Sequence, residues 1–211
     1  DVLAVATGAS GLGESAIRVQ PTSATAGDVR VTSTVGLRGN DLVLVAEDGV
    51  GCMLQQVASP FAGGANQLLT FGGDYAKADI DALQLTDFSV SDIARVSLLG
   101  NTAGNRPNFR LIGLGANDLL FSYDLLQLDG NDTALPIAAG VVDMRALYGV
   151  DTDADGVIDT WVPPTGVYAA AALSADTLPA KQRLLTIMAV RIGLVLHSDR
   201  IERDDVAPAS L

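Results

Sequence analysis

Nine consecutive residues in the second half of the chain carry its strongest chemical pattern: Asp151, Thr152, Asp153, Ala154, Asp155, Gly156, Val157, Ile158 and Asp159. Carboxylates at alternate positions around a tight turn can aim their oxygens at one centre. Calcium (Ca2+) is a hard ion that takes about six to eight oxygens at about 2.3 to 2.6 Å, and such a turn suits it. The expected ligands are Asp151, Asp153, Asp155, the carbonyl of Val157, and Asp159 directly or through water. Gly156 lets the backbone turn after the third carboxylate, and Ile158 anchors the loop in the core. Three aspartates this close repel one another unless a cation lies between them; a solvated acidic turn held by Asx hydrogen bonds is the competing reading. An EF-hand places a bidentate Glu at the twelfth position of its loop, which is Val162 here, and Pro163 and Pro164 exclude the usual exiting helix. The pattern is an EF-hand-like loop without the EF-hand, with a weaker expected affinity than a sensor site.

The elements that must position this loop read mainly as strands. From Asp28 onward, short apolar-alternating runs are split by Gly39-Asn40, Asp48-Gly49, Gly63-Gly64, the stretch 101–105 and Asp129-Gly130. This predicts antiparallel strands at 29–35, 42–47, 52–57, 67–71, 95–99, 108–114 and 119–128. Two more runs with period two, 142–148 and 189–197, lie on either side of the loop. Helical signal is confined to the alanine-rich opening, a stretch at 89–95, and 174–185, where Asp176 lies near the start and Lys181 and Arg183 come later, as the helix dipole prefers. The expected fold class is α+β: a β-rich domain dominated by antiparallel sheet, with short helices. One domain is expected over residues 1–211, with 1–27 as a loosely defined entry segment.

The bulk composition narrows the function. With 25 acidic against 13 basic residues and a net charge of -12, the chain repels phosphate backbones and anionic lipid, so nucleic acid is not an expected partner. Cys52 stands alone, which excludes a disulfide within the chain and the Cys/His spacings of structural zinc; it reads as a small buried hydrophobe at the start of a strand. The most apolar run, 184–196, contains Arg191 and falls short of the roughly 20 residues a bilayer span needs. A start at Asp1 without a signal-peptide pattern is expected of a chain whose export signal or anchor was removed. His197 is the only histidine and reads as a surface-facing strand residue, which leaves no Ser-His-Asp arrangement without it. Trp161, beside the loop, reads as a packing anchor. The run Thr7 to Gly13 mimics the glycine-rich turn of short-chain dehydrogenases, but Pro21 and the stretch 22–27 stop the helix such a turn requires. None of Tyr75, Tyr123, Tyr148 and Tyr168 has a lysine four residues on, so the chemistry of an NAD(P) enzyme is missing as well.

The order of the late segments adds a family resemblance. Val142-Asp143-Met144-Arg145-Ala146-Leu147-Tyr148-Gly149-Val150 runs straight into the acidic loop, Trp161 follows, and Ala189-Val190-Arg191-Ile192-Gly193-Leu194-Val195-Leu196-His197-Ser198 comes near the end. This succession resembles the C-terminal half of PilW-type minor pilins. There, a strand ending in a Tyr-Gly-Val-Asp-like stretch enters an Asp-rich loop, and a V-R-I-x-L-V-L-x-S-like strand follows. Gly39 to Val45 and Cys52 to Val57 look like the family's paired strands, the second beginning at a cysteine. The resemblance covers residues 27–200 and is strongest over 140–200. It implies a pilin-like, non-enzymatic subunit that joins other minor pilins, primes type IV pilus assembly and sits at the pilus tip. The major pilin and a tip adhesin are the further partners it implies. Membrane contact would come only through the family's N-terminal hydrophobic helix, which this sequence lacks. The implied location is the inner membrane, with the domain in the periplasm, and then the cell-surface pilus of a Gram-negative bacterium. A secreted calcium-dependent adhesin module is the main alternative, and an NAD(P)-binding protein of the short-chain dehydrogenase kind the lesser one.

Overall fold

The computed structural model describes residues 2–8, 15–21, 25, 27–47, 51–61, 67–77, 93–128, 134–175 and 177–198. In chain order the first strands are β1 (Val2–Thr7), β2 (Ile17–Arg18), β3 (Asp28–Arg30), β4 (Asp41–Glu47), β5 (Gly51–Gln56), β6 (Leu68–Thr70) and β7 (Arg95–Asn101). There follow β8 (Asn108–Leu114), β9 (Leu119–Asp124), β10 (Leu135–Ala139), β11 (Val141–Val150), β12 (Thr160–Val162), the helices α1 (Ala170–Leu173) and α2 (Leu178–Leu185), and β13 (Ile187–Leu196). The chain divides into two compact units, one of Asp1–Ala4, Arg110–Leu125 and Asn131–Leu211, the other of Val5–Phe109 and Leu126–Gly130.

In the second unit, β4 is the strand on which the core is built. It lies between β7 and β5 in the order β2-β7-β4-β5, antiparallel to both. Its near-continuous apolar run, Leu42 to Ala46, suits a strand covered on both faces. Val43 and Val45 point into a cluster with Val19, Val96 and, from the two-stranded ribbon of β3 and β6, Val29 and Leu69. Leu42 is fully buried in a separate cluster with Tyr75 and Leu126. Gln55 is a fully buried polar residue of β5, and its amide is satisfied in both senses by the Lys77 backbone, donating to the carbonyl at 3.0 Å and accepting from the N–H at 2.9 Å.

The first unit carries two sheets, with strand orders β1-β8-β9-β10 and β12-β11-β13. Leu120 of β9 packs with Val141 and Met144 of β11, joined by the half-buried Leu3, Ile112 and Leu114. β11 is the middle strand of its sheet and pairs antiparallel with both neighbours.

The structure corrects the expected fold class. Among the described residues strands make up 50% and helices 12%, so the fold is mostly β, not α+β. The alanine-rich opening is the strand β1, in which Leu3 and Val5 are half-buried and Val2, Ala4 and Ala6 are exposed. Period-two burial there overrides the helix preference of alanine. At 89–95, Ile93 is a turn, Ala94 has no regular structure and Arg95 already belongs to β7, while 89–92 lie outside the described residues. Of the stretch 174–185 only α2 and the capping Thr177 form a helix start, with the Thr177 hydroxyl accepting from the Ala180 N–H at 3.4 Å and Pro179 in the first turn. Other strands are shorter than expected: β3 ends at Arg30, Val35 is 88% exposed beside the left-handed Gly36, and β9 ends at Asp124.

Leu42→Ala tests the two-faced burial of β4. Deleting a fully buried leucine side chain is expected to cost about 2–5 kcal/mol in urea unfolding, and a loss under about 1 kcal/mol would mean that this cluster does not hold the strand.

Candidate metal centre

The acidic loop joins β11 to β12, whose register pairs Tyr148 with Val162, Gly149 with Trp161 and Val150 with Thr160. Its two ends are fixed by the backbone. The Asp159 N–H donates to the Val150 carbonyl at 2.9 Å, and the Asp151 N–H donates to the Thr186 carbonyl, at the end of α2, also at 2.9 Å. Gly149 at the loop base leaves room for side chains above it: a Cβ there would approach Ile158 Cδ1 to 3.0 Å and Trp161 Cη2 to 3.1 Å. Ile158 and Trp161 are both half-buried, in keeping with their expected anchoring roles. Arg191 of β13 lies over the Trp161 ring, its guanidinium carbon 3.8 Å from the ring centre, a cation–π contact the sequence did not reveal.

Within the loop, backbone amides and one hydroxyl serve the carboxylates. Asp151 is buried, and its two oxygens accept from the Ala154 N–H at 2.7 Å and the Gly156 N–H at 2.8 Å. Ala154 (φ 63°) and Gly156 (φ 86°) are both left-handed, which folds the chain over Asp151; the conformation costs the alanine roughly 1–2 kcal/mol. Asp153 accepts from the Asp155 N–H at 3.3 Å, and Asp155 from the Val157 N–H at 2.7 Å. Asp159 Oδ2 accepts from the Thr152 hydroxyl at 2.6 Å and from the Thr152 N–H at 2.7 Å. These two bonds, the hydroxyl first, hold the Asp159 carboxyl below its ordinary value of 3.8.

One oxygen each from Asp151, Asp153 and Asp159 can be chosen so that all lie within 4.8 Å of one another. Oxygens that share one calcium at about 2.4 Å are at most about 4.8 Å apart, so this spacing fits a single ion. Asp155 is not part of that group; its carboxylate is turned to the amide of Val157, whose side chain is exposed. Thr152 is the participant that the alternation of aspartates concealed.

The other singled-out residues lie elsewhere. Cys52 is exposed on β5, a correction to its expected burial: it pairs with Ala46 near the open end of an edge strand. His197 follows β13, is exposed, and places Nδ1 3.9 Å from Asp118 Oδ2. Of the glycine-rich run, Thr7 ends β1, and 9–13 lie outside the described residues.

Fold and site together define a strand-dominated, antiparallel protein with a carboxylate-rich loop at one hairpin. Residues 113–211, just under half of the chain and including the whole loop and β9 to β13, match the family model of PilW, Type IV Pilus-assembly protein W. Over this stretch the chain is similar to that family, whose description is type IV pilus assembly. No curated protein and no solved structure matches the chain. Among the described residues no helix is long and apolar enough to cross a membrane.

The depressed Asp159 carboxyl gives a signed pH effect. Its contribution to stability is complete above the ordinary carboxylate value and is lost as the pH falls through the lowered folded value. Thr152→Val removes the hydroxyl bond and keeps the amide bond, so carbon NMR titration of Asp159 in chelator should show its carboxyl moving up toward the ordinary value. An unchanged titration would remove the hydroxyl as the cause.

Proposed function

We propose that this domain is the ectodomain of a minor pilin, a non-enzymatic subunit that joins other minor pilins to prime type IV pilus assembly and sits at the pilus tip. Its acidic loop holds one structural calcium ion. What carries the reading is that the segment matching PilW contains a loop where three carboxylate oxygens lie within 4.8 Å of one another. Asp151, Asp153 and Asp159 are the proposed core ligands, with Asp155, the Val157 carbonyl and water completing the shell. A bound cation would neutralise the crowded carboxylates and tie the first residue of the loop to the last, and so the end of β11 to the start of β12. The family's hydrophobic N-terminal helix is the proposed membrane tie, with the domain in the periplasm before it enters the pilus.

An assembly subunit needs a surface for its neighbours, and β13 supports that role. It lies at the edge of the order β12-β11-β13, and Met188, Val190, Ile192, Leu194 and Leu196 follow one another at alternate positions, 42–62% exposed. A row of large apolar side chains on an edge strand is a surface that soluble monomers ordinarily avoid. The other minor pilins and the major pilin, with a tip adhesin, are its proposed partners.

Calcium at about 100 times its dissociation constant would stabilise the fold by about 2.7 kcal/mol, which for a chain of this size is a rise in melting temperature of about 5–10 °C over chelator. Asp153→Ala should lose that rise. A parent protein that melts alike in calcium and in chelator would remove the ion from the account. Ile192→Asp and Leu194→Asp, both at exposed positions, should keep the parent's melting temperature and lower co-purification with other minor pilins at least tenfold. Undiminished co-purification would take β13 out of the assembly surface.

A further inference from the structure

The second unit holds a cavity of about 410 Å³, lined by Asn40, Gln56, Asp74, Tyr75, Thr102 and Arg106. We propose that it is a binding site for a neutral sugar, a mono- or disaccharide. A cavity of this size falls within the range of small-ligand sites.

The support beneath the cavity is built in two tiers. Gln56 is buried, and its amide nitrogen donates to Asn40 Oδ1 at 3.2 Å while its amide oxygen accepts from the Tyr75 N–H at 3.3 Å. Gly73, left-handed at φ 103°, passes so close to this amide that a Cβ would meet Gln56 Nε2 at 2.5 Å. The Asn40 carbonyl is held by the Thr102 N–H at 3.0 Å and the Thr102 hydroxyl at 3.3 Å. With its oxygen on Gln56, the Asn40 amide has its NH2 group left to donate to a ligand. On the other side the Tyr75 hydroxyl donates to the Leu126 carbonyl and accepts from Arg106 Nη2 at 2.9 Å, and Arg106 itself donates to the Leu126 carbonyl. Gln56, Asn40, Thr102, Tyr75 and Arg106 are therefore held in place before any ligand arrives.

The chemistry of the lining selects the ligand. The exposed Asp74 offers an acceptor, as does the Thr102 oxygen, whose proton goes to the Asn40 carbonyl, and the Asn40 amide offers a donor, while Leu128 gives an apolar wall. Vicinal hydroxyls, which each donate once and accept twice, fit a mixed set of this kind, and the C–H face of a sugar ring fits the apolar wall. Asp74 and the chain's net charge of -12 oppose an anionic ligand, and Arg106 opposes a cationic one. Except for Leu128, the lining lies outside the segment that matches PilW, so the inference does not depend on the pilus reading.

Saturation-transfer NMR on the full 211-residue chain tests it, with D-glucose, D-galactose, N-acetyl-D-glucosamine and lactose as probes and N-acetylneuraminate as the anionic comparison. At least one neutral probe should receive saturation. Asp74→Ala and Thr102→Val, each checked by circular dichroism for an unchanged fold, should each weaken that probe at least tenfold. The proposal is overturned if no neutral probe responds, if N-acetylneuraminate binds more tightly than every neutral probe, or if both folded variants bind like the parent.

Discussion

Like charges held close by a closed hairpin are the constraint on which the rest of the half that resembles PilW depends. Asp151 and Asp159 cannot drift apart, because the Asp159 N–H is bonded to Val150 and the Asp151 N–H to Thr186. Asp153 is folded back toward them by the left-handed Ala154 and Gly156. Two carboxylates about 4 Å apart repel by about 1 kcal/mol in water, and by more where water is partly excluded, as at the buried Asp151. The loop answers part of this with the amides of Thr152, Ala154, Asp155, Gly156 and Val157 and with the Thr152 hydroxyl. A divalent cation would answer the remainder by turning mutual repulsion into shared attraction.

The loop is connected through β11 to the surface proposed for assembly. β11 pairs on one side with β12, which leaves the loop, and on the other with β13 from Val141 opposite Leu196 to Val150 opposite Ile187. Asp151 reaches the Thr186 carbonyl immediately before β13, and Trp161 reaches Arg191 within it. A change in the loop therefore acts on both neighbours of one strand. This gives a structural calcium a way to influence assembly without touching the partner: it would hold the ladder that presents the apolar row of β13.

The sequence made the strands legible where alternation and turn residues agreed. β4, β5, β7 and β8 lie where Gly39-Asn40, Asp48-Gly49 and the stretch 101–105 bound apolar runs. β10 was concealed by Pro136, tolerated because β10 is the last strand in its sheet and its pairing with β9 slips between Pro136 and Ala138. β12 was concealed by being three residues long and directly ahead of Pro163. The alanine-rich β1 was misread because propensity is weak evidence beside tertiary burial. In the site, spacing marked Asp151, Asp153 and Asp159, but it could not distinguish a carboxylate facing the common centre from Asp155, which caps a neighbouring amide. It was equally silent on Thr152, and on the sugar pocket, whose residues lie far apart in the chain and meet only through tertiary packing.

The central claim, one cation shared by the loop carboxylates, is tested most directly by terbium luminescence, because Trp161 packs beside the loop and is the chain's single tryptophan. Excitation of Trp161 should sensitise terbium emission that saturates at about one equivalent, declines on addition of excess calcium and is absent in Asp151→Asn. Emission that never rises above that of free terbium, or that calcium cannot displace, would contradict the account.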